Sequence, residues 1–133
     1  MIKVIIAGGR DFKDYEHLCK VCDYQLKNQT DVEIVSGKAP GADTLGERYA
    51  KERGYEIKEF PAKWGDIKDR PDWQIGINKF GKKYWKLAGL NRNEVMATYS
   101  DALIAFWDGE SSGTGTMIEF AEKQGLKIKT QNY

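Results

Sequence analysis

Along this chain, short apolar runs alternate with segments whose apolar positions recur at helical intervals. Ile2 to Ala7 is almost continuously apolar and ends at Gly8-Gly9, the pattern of a strand covered on both faces. From Asp14 to Leu26 the spacing of Tyr15, Leu18, Val21, Cys22 and Leu26 predicts a helix, completing a first β-turn-α unit. Val32 to Val35 reads as a second strand. Ala42 to Arg53 carries a stripe of Leu45, Tyr49 and Ala50, with Gly54 as its stop. Tyr55 to Phe60 alternates as a third strand. Past Pro61 the pattern loosens: Ala62 to Ala88 mixes Trp64, Trp73 and Trp85 with many charges and is broken by Gly65, Gly76 and Gly81. Order resumes with a helix capped by Asn91 and running to Tyr99, then an apolar strand from Ala102 to Trp107. A helix over about Thr114 to Lys123, stopped by Gly125, and a last strand at Leu126 to Ile128 close the pattern.

Strands alternating with helices predict an α/β fold, a Rossmann-like three-layer sandwich around a mainly parallel sheet of about five strands. In such a sheet ligands sit beyond the carboxyl ends of the strands, and three glycine-containing turns stand there. They are Gly8-Gly9-Arg10, Ser36-Gly37 through Gly41-Ala42-Asp43, and Asp108 through Thr116. Glycine admits close backbone approach, and an opening helix offers unpaired N–H groups and a positive dipole end, so each turn suits a phosphate or carboxylate. Arg10 adds a planar fork of donors. Ser111, Ser112, Gly113, Thr114, Gly115 and Thr116 combine hydroxyls with glycine backbone at a helix start; a cap alone needs only one of them. Asp43 either caps its helix or accepts from a ribose hydroxyl. Arg92 with Asn93 either closes over an anionic group or lies on the surface beside a cap. Trp64 offers a face for a nucleobase, although large aromatics also serve as packing anchors. The spacing of a Walker phosphate loop is absent.

With 133 residues, 41% of them apolar, the chain reads as a single domain over 1–133, with a loosely patterned Trp-rich segment past Pro61. No stretch approaches the roughly 20 apolar residues that span a bilayer, and a first strand beginning at Ile2 leaves no room for a signal peptide, so a cytoplasmic protein without a membrane partner is expected. The net charge of +1 argues against nucleic acid as a partner, despite the local run of Lys79, Lys82, Lys83 and Lys86. Cys19 and Cys22 have no second ligand pair and His17 is the one histidine, which leaves zinc sites and Ser-His-Asp chemistry poorly supplied. No cofactor or metal is expected: Asp11, Asp43 and Asp108 suit a Mg²⁺ held mainly by phosphates, but they form no dedicated cage.

Five ordered blocks resemble the SLOG superfamily, the Rossmann-like group of Smf/DprA and LOG proteins, and most closely its small YspA-like branch. The blocks are Ala7 to Phe12, Ser36-Gly37 through Asp43, Phe60-Pro61-Ala62 with Trp64, Ala88-Gly89 with Arg92, Asn93 and Met96, and Phe106 through Gly113-Thr114. The resemblance implies a pocket for a nucleotide or nucleotide-derived ligand, and against the YspA-like pattern the Trp-rich stretch at about 65–87 is an insertion; resemblance and insertion together favour a homodimer. A sensing or sequestering role fits a small one-domain chain, for which binding alone can be the output. The cytokinin-activating LOG enzymes are similar at Arg92 and at Gly115-Thr116 with Glu119, which implies an alternative: hydrolysis of the N-glycosidic bond of a nucleoside 5′-monophosphate, with Arg92 and Glu119 as catalytic residues. Asn93 and Ser111-Ser112 depart from the LOG pattern. The YspA-like pattern sets its Gly-Thr at Gly113-Thr114 and the LOG pattern at Gly115-Thr116, so two registers stay open. DprA-like binding of single-stranded DNA is a third reading, opposed by the charge balance.

Overall fold

Alternation within the strands sets the layers of this protein, whose computed structural model describes residues 1–133. In β1 (Ile2–Gly8), Val4 and Ile6 point to one face and Ile5 and Ala7 to the other, and all four are buried. Helices α1 (Tyr15–Leu26) and α2 (Ala42–Arg53) cover the first face, where Leu18, Cys22, Leu26, Tyr49 and Ala50 pack on Val4, Ile6, Val32, Ile34 and Ile104. Helices α3 (Ala88–Tyr99) and α4 (Ser112–Lys123) cover the second, where Met96, Ala97, Met117 and Ala121 meet Ile5, Ala7, Val35, Leu103 and Ala105. Each buried Val, Leu, Ile or Met among them contributes roughly 1.5–3 kcal/mol by leaving water.

The main sheet has five parallel strands in the order β3-β2-β1-β6-β7, with β2 at Val32–Ser36, β3 at Glu56–Glu59, β6 at Ala102–Trp107 and β7 at Lys127–Asn132. This is the α/β Rossmann-like architecture expected from the sequence. Strand order reverses between β1 and β6, whose register pairs Gly8 with Phe106, so the crevice between their carboxyl ends is the natural ligand position. No helix is long and apolar enough to cross a membrane.

Three elements differ from expectation. Helix α3 begins at Ala88, so Asn91 lies within its first turn and is no cap; Leu87 holds the N-cap position without a side-chain hydrogen bond. β7 extends to Asn132 because its polar residues pair through backbone with Phe106 and Trp107. Within the Trp-rich segment, a 3-10 turn at Asp72–Gln74 leads into an antiparallel hairpin, β4 (Ile75–Ile77) with β5 (Lys83–Trp85). The hairpin is moored by Trp85 N to Trp64 O at 2.7 Å, Lys86 N to Gln74 O at 2.8 Å and Trp85 Nε1 to Gln74 Oε1 at 3.0 Å.

Candidate functional site

At the β1/β6 reversal six segments surround a cavity of about 320 Å³. β1 supplies Ala7 and Gly8, the loop after it Arg10, the β2–α2 connection Ala39, α2 Asp43, α3 Arg92, Asn93 and Met96, and the start of α4 Ser111 through Thr114 with Met117. Close approach of these elements depends on missing side chains. A Cβ on Gly8 would stand 2.4 Å from Phe106 O and 2.9 Å from the Ala42 Cβ. Gly41 combines φ of 81° with space that a Cβ would fill to within 2.3 Å of Gly9 O, so only glycine fits where α2 starts against the first turn.

The electrostatics of the cavity are cationic. Arg92 is half-buried; its Nη1 donates to Gly37 O and its Nε to Asn93 Oδ1 at 2.9 Å, which fixes the plane of the guanidinium. Asn93 in turn donates to Gly113 O at 3.4 Å, tying α3 to the α4 start. Burial, with a smaller contribution from the Arg10 charge, holds Arg92 below its ordinary arginine pKa, and Asp43 opposes this. None of the six ion pairs in the molecule includes Arg10 or Arg92. The start of α4 adds to this field: Ser111 is its N-cap but makes no side-chain capping bond, leaving the first-turn amides for another acceptor. The acidic group of the cavity is Asp43, which is buried and accepts from Ala39 N at 3.3 Å. Burial pushes its carboxyl up to about 6, against the pull of the Ala39 N–H and the Arg92 guanidinium.

A second hollow of about 330 Å³ adjoins the first, sharing Arg10, Arg92, Asn93, Ser112 and Gly113 and continuing over Trp64, Lys86, Gly89, Leu90 and Thr116. The structure therefore brings Gly8, Arg10, Asp43, Trp64, Arg92, Asn93, Ser111, Ser112, Gly113, Thr114 and Thr116 to one connected depression.

The other candidate residues support its walls. Gly9 faces the Tyr133 hydroxyl and Asp11. The Ser36 hydroxyl donates to Glu47 at 2.6 Å and accepts from Lys38 N at 3.2 Å. Gly37 separates Asp43 from Arg92, since a Cβ there would lie 2.8 Å from Asp43 Oδ2 and 2.9 Å from Arg92 Nη1. Ala42 N donates to Gly9 O at 3.3 Å. Asp108 accepts from Glu110 N at 2.9 Å and Ser111 N at 2.8 Å, bonds that hold its carboxyl below the usual range. Gly115 packs on the Trp107 ring, and Glu119 is exposed and lines neither hollow. Of the two Gly-Thr registers, Gly113-Thr114 faces the cavity, while Thr116 reaches only the outer hollow. The sequence pattern did not single out Ala39, Met117 or Lys86 as site residues, and it offered Met96 only as part of a resemblance block. Ala39 and Met117 are wall residues without a chemical signature, and Lys86 stands in a run of four lysines that looks alike along its length.

The YAcAr family model, described as YspA, cpYpsA-related SLOG family, matches residues 2–66, which run from β1 through the loop beyond β3. A search of curated proteins gives no match. Among solved structures, DNA processing protein A (DprA) from Streptococcus pneumoniae is similar with a TM-score of 0.72 and 22% identity, covering 98% of this chain and 50% of that one. DprA from Helicobacter pylori, from a structural study of its single-stranded DNA binding mode, is similar with a TM-score of 0.60 and 20% identity, covering 97% of this chain and 64% of that one. The chain thus spans half to two thirds of the length of these neighbours, and the likeness is one of fold.

Proposed function

We propose that this chain, which belongs to the YspA-related SLOG family by its match over residues 2–66, binds a nucleotide or nucleotide-derived ligand through its phosphate, as a sensor or sequestering protein. The observation that carries this reading is the pairing of Arg10 and Arg92, two guanidiniums without carboxylate partners, with an uncapped α4 N-terminus at the strand-order reversal. A phosphate there accepts charge-assisted bonds from both guanidiniums, and that of Arg92 is already oriented by Gly37 O and Asn93, so less ordering entropy is lost on binding. Calorimetric titration with AMP and with inorganic phosphate tests it. Arg10→Ala and Arg92→Ala are each expected to weaken AMP by roughly 10- to 100-fold, the worth of a charged hydrogen bond. Absence of heat with the wild-type protein, or equal affinity in both variants, contradicts the reading.

A strand ligand is the second reading, favoured by the hairpin segment: it carries Lys79, Lys82, Lys83 and Lys86 along with Trp73 and Phe80, which are 68% and 81% exposed, and Lys79 Nζ stands 5.2 Å from the centre of the Phe80 ring. Stacking on such aromatics beside lysines is how single strands are held without sequence preference. A gel shift of single-stranded DNA that weakens with salt and is lost in Phe80→Ala supports it; no shift at low salt removes it. Hydrolysis of a nucleoside monophosphate is less well served, because Glu119 stands outside both hollows and Asp43 is the carboxyl that faces the inner one.

A further inference from the structure

We infer that the ligand carries its phosphate internally, with an organic group on either side, as in a phosphodiester or a pyrophosphate-bridged nucleotide. This rests on the phosphate reading above and extends it to the shape of the ligand. The two hollows are of nearly equal size, about 320 and 330 Å³, each at the low end of the range for small-molecule sites of about 300–1,000 Å³. Their shared wall is where the positive charge lies: Arg10, Arg92 and the α4 start at Ser112 and Gly113. A phosphate that ended the ligand at this junction would leave one of the two hollows unfilled. An internal phosphate fills both.

The chemistry of each side suits an organic group. The inner hollow is floored by Met96, Met117 and Ala7, with the buried Asp43 carboxyl as its acceptor, an arrangement for a sugar or ring bearing a hydroxyl or amino donor. The outer hollow is walled by the Trp64 ring, which is held in place from two sides. Gly89 lies beneath it, where a Cβ would come within 3.3 Å of the ring, and Tyr84 meets it edge-on with centroids 6.2 Å apart. Trp64 is nonetheless 42% exposed, and Lys86 lines the same hollow. A fixed aromatic face beside a cation is a platform for a base.

Titration of the full chain with AMP, with ADP-ribose and with the dinucleoside monophosphate ApA tests this inference. The two-sided probes are expected to bind about tenfold or more tighter than AMP, the worth of one base–aromatic stack, and Trp64→Ala to collapse that ratio toward one. Lys86→Glu, an exposed substitution that leaves the indole in place, is expected to reduce the ratio as well, and circular dichroism confirms that each variant folds. AMP binding as tightly as both two-sided probes, or a ratio that survives in both variants, overturns the inference while leaving the phosphate reading intact. Failure of all three probes and of inorganic phosphate to bind overturns both. Oligoadenylates of up to about twelve nucleotides separate the sources. Affinity that levels off at two nucleosides identifies a free two-sided nucleotide, and affinity that climbs with length identifies an internal phosphodiester of a strand; either supports the two-sided site.

Discussion

Arg92 and Asp43 face the same cavity across Gly37, and their opposite responses to burial define what the site does at different pH. Arg92 presents a fork already oriented by two acceptors, so Arg92→Lys keeps the charge but loses the planar donors; sulfate affinity is expected to fall several-fold, as read by calorimetry. Asp43 has its carboxyl raised by burial from 3.8 to about 6. The folded state therefore holds a proton that the unfolded state releases between about pH 4 and 6, and stability declines as pH rises through that window, by up to about 3 kcal/mol. Asp43→Asn is expected to flatten this slope in urea denaturation and to exceed wild-type stability above pH 6. The same ionisation places a negative charge beside the guanidiniums, so wild-type affinity for sulfate, whose own charge is constant here, is expected to drop from about pH 5 to about pH 7 while Asp43→Asn affinity stays level. A wild-type affinity independent of pH would show that Asp43 does not sense the anion. The sequence placed both residues at the ligand edge but left each with two roles, because whether Asp43 caps or faces a cavity depends on burial that spacing alone does not reveal.

At the scale of elements, two glycines flank α2 with similar positive φ and different surroundings. Gly54 ends the helix at φ 74° with nothing near its missing Cβ, so Gly54→Ala is expected to cost about 1 kcal/mol of backbone strain. Gly41, with ψ of −125°, lies outside the left-handed helical region that Gly54 occupies, and backbone oxygens of Gly9 and Arg10 stand 2.3 and 2.6 Å from a Cβ there, so Gly41→Ala is expected to cost about 3 kcal/mol or more and to open the first turn of the site. Urea midpoints at equal m-values measure both. The bounds of α2 were legible in the sequence because a glycine stands just before its first residue and another just after its last. The start of α3 was not, since Leu87 carries no capping side chain and Asn91 mimics a cap four residues further on. That difference matters: the extra residues place Gly89 beneath Trp64 and set Arg92 in the second turn of the helix. The hairpin was hidden for another reason. Gly76 interrupts β4 because the Tyr84 ring occupies its side-chain space, and the Asn78 side chain, which accepts from Phe80 N and Lys82 N, shapes a turn that resembles ordinary polar surface.

For the molecule as a whole, the apolar strand runs specify a parallel sheet between two helical layers, and that sheet contains one reversal of strand order beside Gly8. The layers and the location of the depression follow from hydrophobic pattern alone, whereas its two-part shape arises from α3 and the Trp64 segment meeting at Gly89, a contact between residues distant in sequence. Stability is distributed accordingly. Amides of β1, β2 and β6 lie in the buried centre, while the β4–β5 hairpin rests on few buried side chains, so native-state hydrogen exchange is expected to be slowest in the former and fastest in the latter. The central claim is that the junction of Arg10, Arg92 and the α4 start is an anion site. Its most direct test is a ¹H–¹⁵N correlation titration with ADP-ribose, following backbone amides and arginine Nε signals. Shifts concentrated at Arg10, Arg92 and the Ser112, Gly113 and Thr114 amides are predicted; a saturable titration that leaves these signals unmoved, or no response at all, contradicts the account.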